Sequence, residues 1–302
     1  YNIGFIGLGL MGKGFTERLV KKGHSVIGYD LDLKKMEEAS VYGVRAGKSP
    51  ADVASQSDIV MLCVTSTAAV EDVIFGPEGV SKGANSRSLL IDFSTTIVAS
   101  TKEMAKRLKD DSNMGWIDAP VSGGPDACRD GSLAIMAGGS KEDIESVRPL
   151  LEQLSATFTV FGDVGAGQVA KMVNQVLVLN NYVVLAEALA LAEAGGIDAS
   201  KIPEALAAGH AGSNLLRDIF PRMIARDFEP KGYARQVLKD LDMVHDLAKE
   251  FKTPTPMSAQ AAALFRILNS KGYDKLDGIA ILKLLDQHLS LIHISEPTRR
   301  TI

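Results

Sequence analysis

Three glycines and one aspartate near the start of the chain have the spacing of a dinucleotide-binding loop. Gly7, Gly9 and Gly12 form the pattern G-x-G-x-x-G directly after a short apolar run, and Asp30 follows them. Glycines at these positions permit a tight strand-to-helix turn, let the backbone approach a pyrophosphate, and let the helix pack closely on the strand. The free N–H groups and the positive dipole end of that helix attract phosphate. We therefore expect a bound dinucleotide, and an ordinary glycine-rich turn is the competing interpretation.

Asp30 is the residue that predicts the type of dinucleotide. Residues 25–29 are expected to form a second strand, with Asp30 at its carboxyl end. A carboxylate at that point accepts hydrogen bonds from both ribose hydroxyls of NAD and repels the 2′-phosphate of NADP. No arginine directly follows Asp30. NAD is the expected cofactor, and NADP is the less favoured alternative.

A second candidate site is the loop Asp118-Ala-Pro-Val-Ser-Gly-Gly124. It follows a predicted strand and ends in two glycines. Such a loop presents backbone N–H groups and the Ser122 hydroxyl to an anion with little side-chain obstruction. A substrate carboxylate would suit it, whereas a turn without a ligand is the alternative.

A third candidate is a lysine at the start of a long helix. Gly165 and Gly167 precede the predicted helix, and Lys171 and Asn174 stand three residues apart, which places them on one helix face. The positive end of the helix dipole and partial burial both disfavour a charged ammonium, so we expect a lowered pKa for Lys171. An amine that titrates near the working pH is suited to proton transfer. A surface lysine with a solvated amine is the alternative.

The predicted secondary structure that positions these residues changes near residue 162. Before it, short apolar runs alternate with amphipathic stretches, which predicts an α/β domain with a Rossmann-type, doubly wound, mostly parallel sheet and helices on both faces. The predicted strands are 2–6, 25–29, 59–64, 89–92, 115–118, 133–137 and 157–160. The predicted helices are 11–22, 33–41, 49–56, 68–75, 96–110 and 141–154.

After residue 162 the predicted elements are all helical. The first, over 167–194, would be about 42 Å long at about 1.5 Å per residue, so we expect it to join the two domains. Its apolar length suggests a subunit contact, and a homodimer or homotetramer is expected. The further predicted helices are 200–208, 213–225, 234–251, 257–271 and 277–288.

The chain is thus divided into three parts. Residues 1–162 are expected to form the dinucleotide-binding Rossmann domain, and residues 163–289 an all-helical domain for substrate binding and dimerisation. Residues 290–302 continue no preceding pattern and look like a non-native or disordered tail, with a genuine flexible terminus as the alternative.

Composition narrows the possible partners. The 302 residues carry a net charge of −4 without a basic block, which disfavours nucleic acid. The two cysteines, Cys63 and Cys128, predict neither a disulfide framework nor a metal site, and they favour a reducing compartment. We therefore expect the cytoplasm, although an organelle-targeting segment before Tyr1 would not be visible. Asparagine and glutamate interrupt the longest apolar run, 176–194, so no membrane span is expected.

Taken together, the motifs resemble those of the β-hydroxyacid dehydrogenase family. The resemblance covers about residues 2–288. It implies an NAD(P)-dependent oxidoreductase that moves a hydride between the nicotinamide and a small β-hydroxy acid or its semialdehyde or oxo form, of the 3-hydroxyisobutyrate, glycerate or L-threonate type. It rests on five motifs in the family's order: Gly4-Phe-Ile-Gly-Leu-Gly-Leu-Met-Gly12, Asp92-Phe-Ser-Thr95, Asp118 to Gly124, Gly165 to Asn174, and Lys239-Asp-Leu241.

The resemblance implies roles for the substrate-side residues. Lys171 matches the family's catalytic lysine, which acts as general acid or base at the reacting oxygen. Ser122, Gly123 and Gly124 match the loop that binds the substrate carboxylate. Asn174 matches a residue that orients the substrate beside the lysine.

It also implies contacts on the cofactor side. Thr95 matches a contact near the nicotinamide, and Lys239 matches a lysine that reaches the cofactor. Asp240 is the expected partner that positions Lys171. The other expected cofactor contacts are Leu10, Met11, Val64 and Thr65.

Two residues depart from the most frequent family pattern. Gln175 stands where many members have a second asparagine, and Gly232 stands where many have a phenylalanine that roofs the substrate. Both are expected to contact substrate. Loss of that ring, unless Tyr233 takes its place, predicts a bulkier or more polar substrate than 3-hydroxyisobutyrate, with a preference for the L-threonate-like members.

Two other functions stay open from the sequence. An imine reductase shares the fold and cofactor but usually replaces the lysine, and a non-catalytic dinucleotide-binding scaffold also loses it. Lys171 argues against both. Phosphogluconate oxidation would need a basic cluster for a sugar phosphate, which the sequence does not show.

Overall fold

A computed structural model describes residues 1–84 and 87–285 of the chain. The chain forms two compact units, Tyr1–Asn174 and the residues from Gln175 onward. The sequence places the domain boundary at residues 162 and 163, and those domain limits stay a prediction. The predicted tail 290–302 and the end of the predicted helix 277–288 lie outside the described residues.

The first unit is built on one mostly parallel sheet, which has nine strands within residues 1–84 and 87–174. The strands are β1 Asn2–Ile6, β2 Ser25–Tyr29, β3 Arg45–Ala46, β4 Ile59–Leu62, β5 Leu89–Asp92, β6 Gly115–Asp118, β7 Val121–Ser122, β8 Leu133–Gly138 and β9 Ser155–Gly162. Six of them are parallel neighbours in the order β3-β2-β1-β4-β5-β6. This is the strand order of doubly wound dinucleotide-binding folds. Beyond β6, strand β8 pairs antiparallel with β6 and β7 and parallel with β9.

Both faces of this sheet are buried, as the parallel arrangement requires. Phe5, Met61 and Ile91 belong to one apolar cluster, whereas Val60 and Leu90 belong to another, because successive strand residues point to opposite faces. The helices that connect the strands are α1 Leu10–Lys21, α2 Leu33–Val41, α3 Pro50–Ser55, α4 Thr67–Phe75, α5 Val80–Gly83, α6 Val98–Ser112, α7 Gly124–Asp130 and α8 Lys141–Leu151. The predicted α/β class is confirmed.

The long helix α9, Ala166–Ala194, begins in the first unit and ends in the second. By length and composition it is able to cross a membrane, but one such helix is weak evidence, since core helices pass the same test. In the second unit its Leu179, Ala186 and Leu189 pack in an apolar core with Phe220 and Phe265. The interpretation as a core helix of a packed protein therefore fits the buried face.

In its described residues the second unit contains helices joined by turns and loops, and its one β-type pairing is an isolated bridge between Tyr233 and Asp277. Besides the end of α9 it contains α10 Ile202–Ala205, α11 Asn214–Ile224, α12 Ala234–Glu250, α13 Pro256–Leu268, the 3-10 helices Ala199–Lys201 and Gly278–Leu284, and the π-type turn Asn269–Tyr273. The sequence predicted α-helix at 200–208 and 277–288, whereas the described part of the second contains a 3-10 helix. The short elements β3, β7, α5 and α7 were missed because a few residues carry no readable periodicity.

Candidate active site

The glycine-rich loop joins β1 to α1 at the carboxyl edge of the sheet. Gly7 has a φ of +91°, and a Cβ there would lie 2.4 Å from the carbonyl oxygen of Cys63. A Cβ at Gly12 would lie 1.8 Å from the carbonyl oxygen of Gly7, so only glycine lets the helix pass this close to the loop. Among the described residues, a Cβ at Gly9 would meet no atom within 4 Å. Gly9 thus faces open space, where a phosphate group can approach the backbone.

The first turn of α1 supplies hydrogen-bond donors to that space. Its N-cap residue is Gly9, which has no side chain to bond to the turn. The first N–H groups of a helix have no intrahelical partner, and the helix dipole is positive there. Leu10 and Met11, which stand in this turn, are exposed and half-buried, respectively. The loop and turn therefore fit the pyrophosphate of a dinucleotide.

Asp30 lies directly after β2 and is bonded to the same loop. One carboxylate oxygen accepts from Leu8 N–H at 2.7 Å, and the other accepts from Asp32 N–H at 2.9 Å and lies 3.5 Å from Lys35 Nζ. Because a carboxylate has about four acceptor sites, Asp30 retains capacity for a ribose hydroxyl. The side chain predicted to contact the ribose also fixes the loop predicted to bind the phosphates.

The loops after β4 and β5 lie at the same edge of the sheet and are bonded to each other. Val64 N–H donates to Ser94 Oγ at 2.9 Å, and Ile97 N–H donates to Thr67 Oγ1 at 3.0 Å. Val64 is also the neighbour of Gly7, since a Cβ on that glycine would lie 3.0 Å from a methyl carbon of Val64. Thr65 is exposed and Thr95 is half-buried. The structure thus brings the predicted cofactor contacts of the first unit to one edge.

The candidate carboxylate loop begins where β6 ends and leads through β7 into α7. Gly123 and Gly124 have φ values of +133° and +77°, a backbone conformation that favours glycine. A Cβ at Gly124 would meet no atom within 4 Å among the described residues, and Ser122 is half-buried. The loop therefore leaves open space beside its two glycines.

Helix α7 holds this loop against the cofactor helix. Cys128, on α7, donates to the carbonyl oxygen of Met11 on α1 at 3.5 Å. A Cβ at Gly14 of α1 would lie 3.0 Å from Cys128 Cβ, so the two helices are in close contact. Burial raises the pKa of the Cys128 thiol, which keeps it protonated and able to donate this bond. The candidate substrate loop is consequently anchored to the helix that begins at Gly9.

Lys171 lies against the candidate carboxylate loop. The residue is only 8% exposed, and its Nζ donates a hydrogen bond to the carbonyl oxygen of Val121 at 2.8 Å. Val121 directly precedes Ser122. Asn174 follows one turn later on α9 and is half-buried. The alternative of a lysine with a solvated amine is wrong.

Three of the residues predicted in the second unit form a polar cluster. Gln175, only 6% exposed, donates through Nε2 to one carboxylate oxygen of Asp240, which is 9% exposed. Lys239 Nζ lies 3.1 Å from the other carboxylate oxygen. The three residues therefore stabilise one another, and their predicted contacts with substrate, cofactor and Lys171 stay predictions.

A buried aspartate fixes the position of Gly232. Asp277 is 3% exposed and accepts from the N–H groups of Lys231 at 2.7 Å and Gly232 at 3.2 Å, and Arg222 lies 3.6 Å from the same carboxylate. A Cβ at Gly232 would meet no atom within 4 Å in the described part of the chain. The position where a phenylalanine was expected is therefore open.

Comparisons with known proteins agree with this geometry. Residues 2–162 match the family model described as the NAD binding domain of 6-phosphogluconate dehydrogenase, and residues 165–285 match the NAD-binding model of NADP-dependent 3-hydroxyisobutyrate dehydrogenase. The chain is 33% identical to 2-hydroxy-3-oxopropionate reductase of Escherichia coli over 284 residues, which are 94% of this chain and 97% of that protein. The chain belongs to the β-hydroxyacid dehydrogenase family. It is an NAD(P)-dependent oxidoreductase, and the family resemblance seen in the motifs is confirmed.

Two further relatives of this dehydrogenase extend the comparison. The mitochondrial 3-hydroxyisobutyrate dehydrogenase of Mus musculus is 32% identical over 292 residues, with 94% of this chain and 86% of the relative covered. The crystal structure of 3-hydroxyisobutyrate dehydrogenase from Salmonella typhimurium has a TM-score of 0.86 at 28% identity and covers 94% of this chain and 99% of that one. The similarity thus extends over both units.

Two residues of the dehydrogenase's first unit were missed as functional candidates. The sequence places Asp118 at the start of a loop and Gln168 inside a motif, yet both are fully buried. Asp118 accepts from the N–H groups of Gly165 and Gln168 at the start of α9, and the Gln168 side chain bonds to Ser94 and Thr96 in the loop after β5. Burial raises the pKa of Asp118 to about 6, against the opposing effect of hydrogen bonds from backbone N–H groups. Polar residues that the sequence places at a strand end and in a helix are the signal that could have marked them. Within the described residues no group of histidine, cysteine, aspartate or glutamate is arranged to hold a metal ion.

Proposed function

We propose that this dehydrogenase interconverts a small β-hydroxy acid and its semialdehyde or oxo form, with Lys171 as the general acid or base. The observation that supports it is the hydrogen bond of the buried Lys171 amine to Val121, directly beside Ser122 and the two glycines of the carboxylate loop. When a short acid binds its carboxylate in this loop, its reacting oxygen would lie beside the Lys171 amine.

The cofactor has a fitting site in the first unit. The open space at Gly9 and the first turn of α1 suit its pyrophosphate, and Asp30 suits its adenosine ribose. When bound, the nicotinamide accepts or supplies the hydride. The residues of this chain then bind the substrate, orient it and move the proton.

The carboxylate loop binds the substrate, and Lys171 transfers the proton. Ser122 and the backbone N–H groups at Gly123 and Gly124 bind the carboxylate and so fix the distance to the reacting carbon. In alcohol oxidation a neutral Lys171 takes the hydroxyl proton, and in aldehyde reduction its ammonium gives a proton to the carbonyl oxygen. Asn174, one turn further on α9, is suited to orient the substrate beside the amine.

The substrate is proposed to be bulkier or more polar than 3-hydroxyisobutyrate. The relatives include proteins named for 3-hydroxyisobutyrate and for 2-hydroxy-3-oxopropionate, so the size class is a short hydroxy or oxo acid. Gly232 leaves space where a phenylalanine was expected, and Gln175 offers an amide in place of an asparagine. Both favour a polyhydroxylated acid of the glycerate or L-threonate type.

NAD is proposed as the preferred dinucleotide. Asp30 is tied to the glycine-rich loop at 2.7 Å, so its charge is held where the ribose 2′ position would lie. A 2′-phosphate would meet this carboxylate. Lys35 Nζ lies 3.5 Å from this carboxylate and reduces the repulsion, whereas Asp30 is hydrogen-bonded to the loop itself.

A homodimer or homotetramer is proposed for the assembly. On α9 the side chains of Leu177, Val184 and Leu191 recur every seven residues and are 63%, 50% and 75% exposed. A stripe of this spacing is typical of helices that pack against another helix. Light scattering of the purified protein would measure the mass. The two free cysteines support a reducing compartment such as the cytoplasm.

The test is an NAD-coupled screen of the intact protein over 3-hydroxyisobutyrate, D-glycerate, L-threonate, L-serine and 4-hydroxybutyrate. Lys171→Ala should lower turnover of the best substrate by about 10²- to 10⁴-fold, the scale of a lost general acid or base, with NAD affinity unchanged. Lys109→Ala, on the exposed surface of α6, is the matched control and should turn over normally. Near-normal turnover in Lys171→Ala, or no turnover of any of these acids by the unaltered protein, would overturn the proposal.

A further inference from the structure

Asp118 holds the beginning of α9 from a distant part of the chain. Its Oδ1 accepts from Gly165 N–H at 2.7 Å, and its Oδ2 accepts from Gln168 N–H at 2.9 Å. Ala166 begins the helix, and the preceding Gly165 has no side chain of its own to cap it. The carboxylate therefore satisfies N–H groups that the helix leaves without intrahelical partners.

Gln168 bonds the same turn to the loop after β5. Its Oε1 accepts from Thr96 N–H at 3.0 Å, and its Nε2 donates to the carbonyl oxygen of Ser94 at 2.8 Å. Both ends of the buried amide are used. This loop carries Thr95, a predicted cofactor contact, and is bonded through Ser94 to Val64. The first turn of α9 is thereby fixed to two cofactor loops.

The surrounding backbone is shaped to admit these groups. A Cβ at Gly167 would lie 2.5 Å from the carbonyl oxygen of Met136 and 2.8 Å from Asp118 Oδ2. A Cβ at Gly138 would lie 2.8 Å from Asp118 Oδ1 and 2.8 Å from Gly167 N. Glycine at both positions is what lets the strand, the helix start and the carboxylate meet.

We propose that Asp118 and Gln168 are positioning residues that set the register of Lys171 against Val121 and the carboxylate loop. Asp118 stands at the start of that loop, and Lys171 is one turn beyond the N–H group that Asp118 holds, so one carboxylate fixes both partners of the Lys171–Val121 bond. This rests on the proposed function, which assigns the proton transfer to Lys171. Beyond that function, Asp118 and Gln168 position the Lys171 amine without contacting substrate or cofactor.

Few charged groups surround Asp118. Asp92 is its register partner on β5, Lys171 follows on α9, Lys102 of α6 lies over Gly165, and Asp163 stands in the loop before α9. Its hydrogen-bond partners are backbone N–H groups, and burial raises its pKa to about 6. Protonation below that pH turns one acceptor oxygen into a donor, so the hold on α9 weakens on the acid side.

The experiment compares Asp118→Asn with Ser140→Ala. Ser140 caps α8 through its own hydroxyl, so its loss removes a helix cap on another helix. The first readout needs no turnover: acetic anhydride is applied to the intact protein, and acetylation of Lys171 is followed by peptide mass spectrometry. The second readout is kcat, KM for NAD and the pH profile with the best substrate of the screen.

Asp118→Asn should speed acetylation of Lys171 by about tenfold, the change in population that loss of a buried hydrogen bond allows. It should lower kcat by about a hundredfold, the scale of an ångström-sized misplacement, with KM for NAD unchanged. The acid limb near pH 6 should vanish from its pH profile. Ser140→Ala should match the unaltered protein in all three readouts.

Two outcomes separate this inference from the proposed function. Faster acetylation in Asp118→Asn, in a protein that turns over no acid, supports the positioning role and rejects the proposed reaction. Equal acetylation rates in Asp118→Asn and Ser140→Ala overturn the positioning role even if Lys171 proves essential. Should Asp118→Asn not fold, Gln168→Met takes its place. This substitution keeps the side-chain volume and removes both hydrogen bonds of the amide, and it is judged by the same acetylation and kcat criteria.

Discussion

Helices α1 and α9 have similar N-terminal sequences, but the space beside their first turns is open at α1 and occupied at α9. Each is preceded by a glycine in the left-handed region, Gly7 at φ +91° and Gly165 at φ +94°, and the residue before each helix is a glycine without a capping side chain. At α1 the space beside Gly9 is open. At α9 it is filled by the carboxylate of Asp118.

The difference indicates that a helix start with glycine and no capping side chain needs a negatively charged acceptor. Whether a ligand or the chain itself supplies that acceptor decides whether the helix start is a binding site. The first N–H groups of either helix need acceptors and lie at the positive dipole end. At α1 the phosphates of a cofactor meet that need, so the site is a binding site. At α9 the chain meets the need itself, which fixes the helix that carries Lys171.

The largest effect is expected from closing the open helix start. A Cβ at Gly12 would lie 1.8 Å from the Gly7 carbonyl oxygen, so Gly12→Ala should lower the free energy of unfolding by about 3 kcal/mol or more and abolish NAD binding. Gly9→Ala is the matched control, because its Cβ meets no described atom within 4 Å. It should keep the stability but weaken NAD binding by about tenfold, since a methyl group then stands where the phosphate approaches.

Urea denaturation and titration with NAD measure the two effects. Equal stability losses in Gly12→Ala and Gly9→Ala would contradict the close contact between Gly7 and Gly12. Unchanged NAD affinity in Gly9→Ala would show that the open space at α1 is not the phosphate site. In either case the contrast with α9 would lose its basis.

The next effect concerns the filled helix start and its dependence on pH. Burial raises the pKa of Asp118 from 3.8 to about 6, so the folded state binds this proton more tightly than the unfolded state does. Protonation relieves the cost of burying this charge, which outweighs the hydrogen bonds to α9 that it weakens. The net contribution of Asp118 to stability is therefore greatest below about pH 4 and falls by roughly 3 kcal/mol as the pH rises to about 6. Asp118→Asn removes this loss. Urea unfolding of both proteins from pH 4 to 7 should show their stability difference changing over that window, and parallel curves would contradict it.

The comparison also explains what the sequence could and could not predict. The strand–loop–helix at Gly7, the mostly parallel sheet and the length of α9 follow from apolar periodicity and glycine spacing, which are local features. Lys171 could be singled out because a charged residue in an apolar helix is conspicuous. Its bond to Val121 could not, because it joins residues 50 positions apart through the fold.

Asp118 and Gln168 illustrate the same limit more sharply. Asp118 caps α9 across 47 residues and Gln168 bonds to Ser94 across 74, so neither leaves a pattern in its own neighbourhood. In α3, α4 and α8 the cap is a serine directly before the helix, which sequence reasoning recognises readily. A helix whose cap is supplied from another element looks uncapped in the sequence. Its start can then be mistaken for a second anion site.

The smallest effect is expected from Asp30, the predicted ribose contact beside the open start of α1. Asp30 both bonds Leu8 N–H at 2.7 Å and carries the charge that disfavours a 2′-phosphate. Asp30→Ala should therefore reduce the preference for NAD over NADP in kcat/KM by about tenfold, which corresponds to about 1.4 kcal/mol. Lys35→Ala is the control, because it removes the 3.5 Å ion pair and leaves the carboxylate in place. It should sharpen the preference for NAD, since Asp30 then acts without a neighbouring cation. If Asp30→Ala leaves the NAD to NADP ratio unchanged, the carboxylate serves only to hold the loop, and the charge that selects the cofactor must come from another residue of this edge.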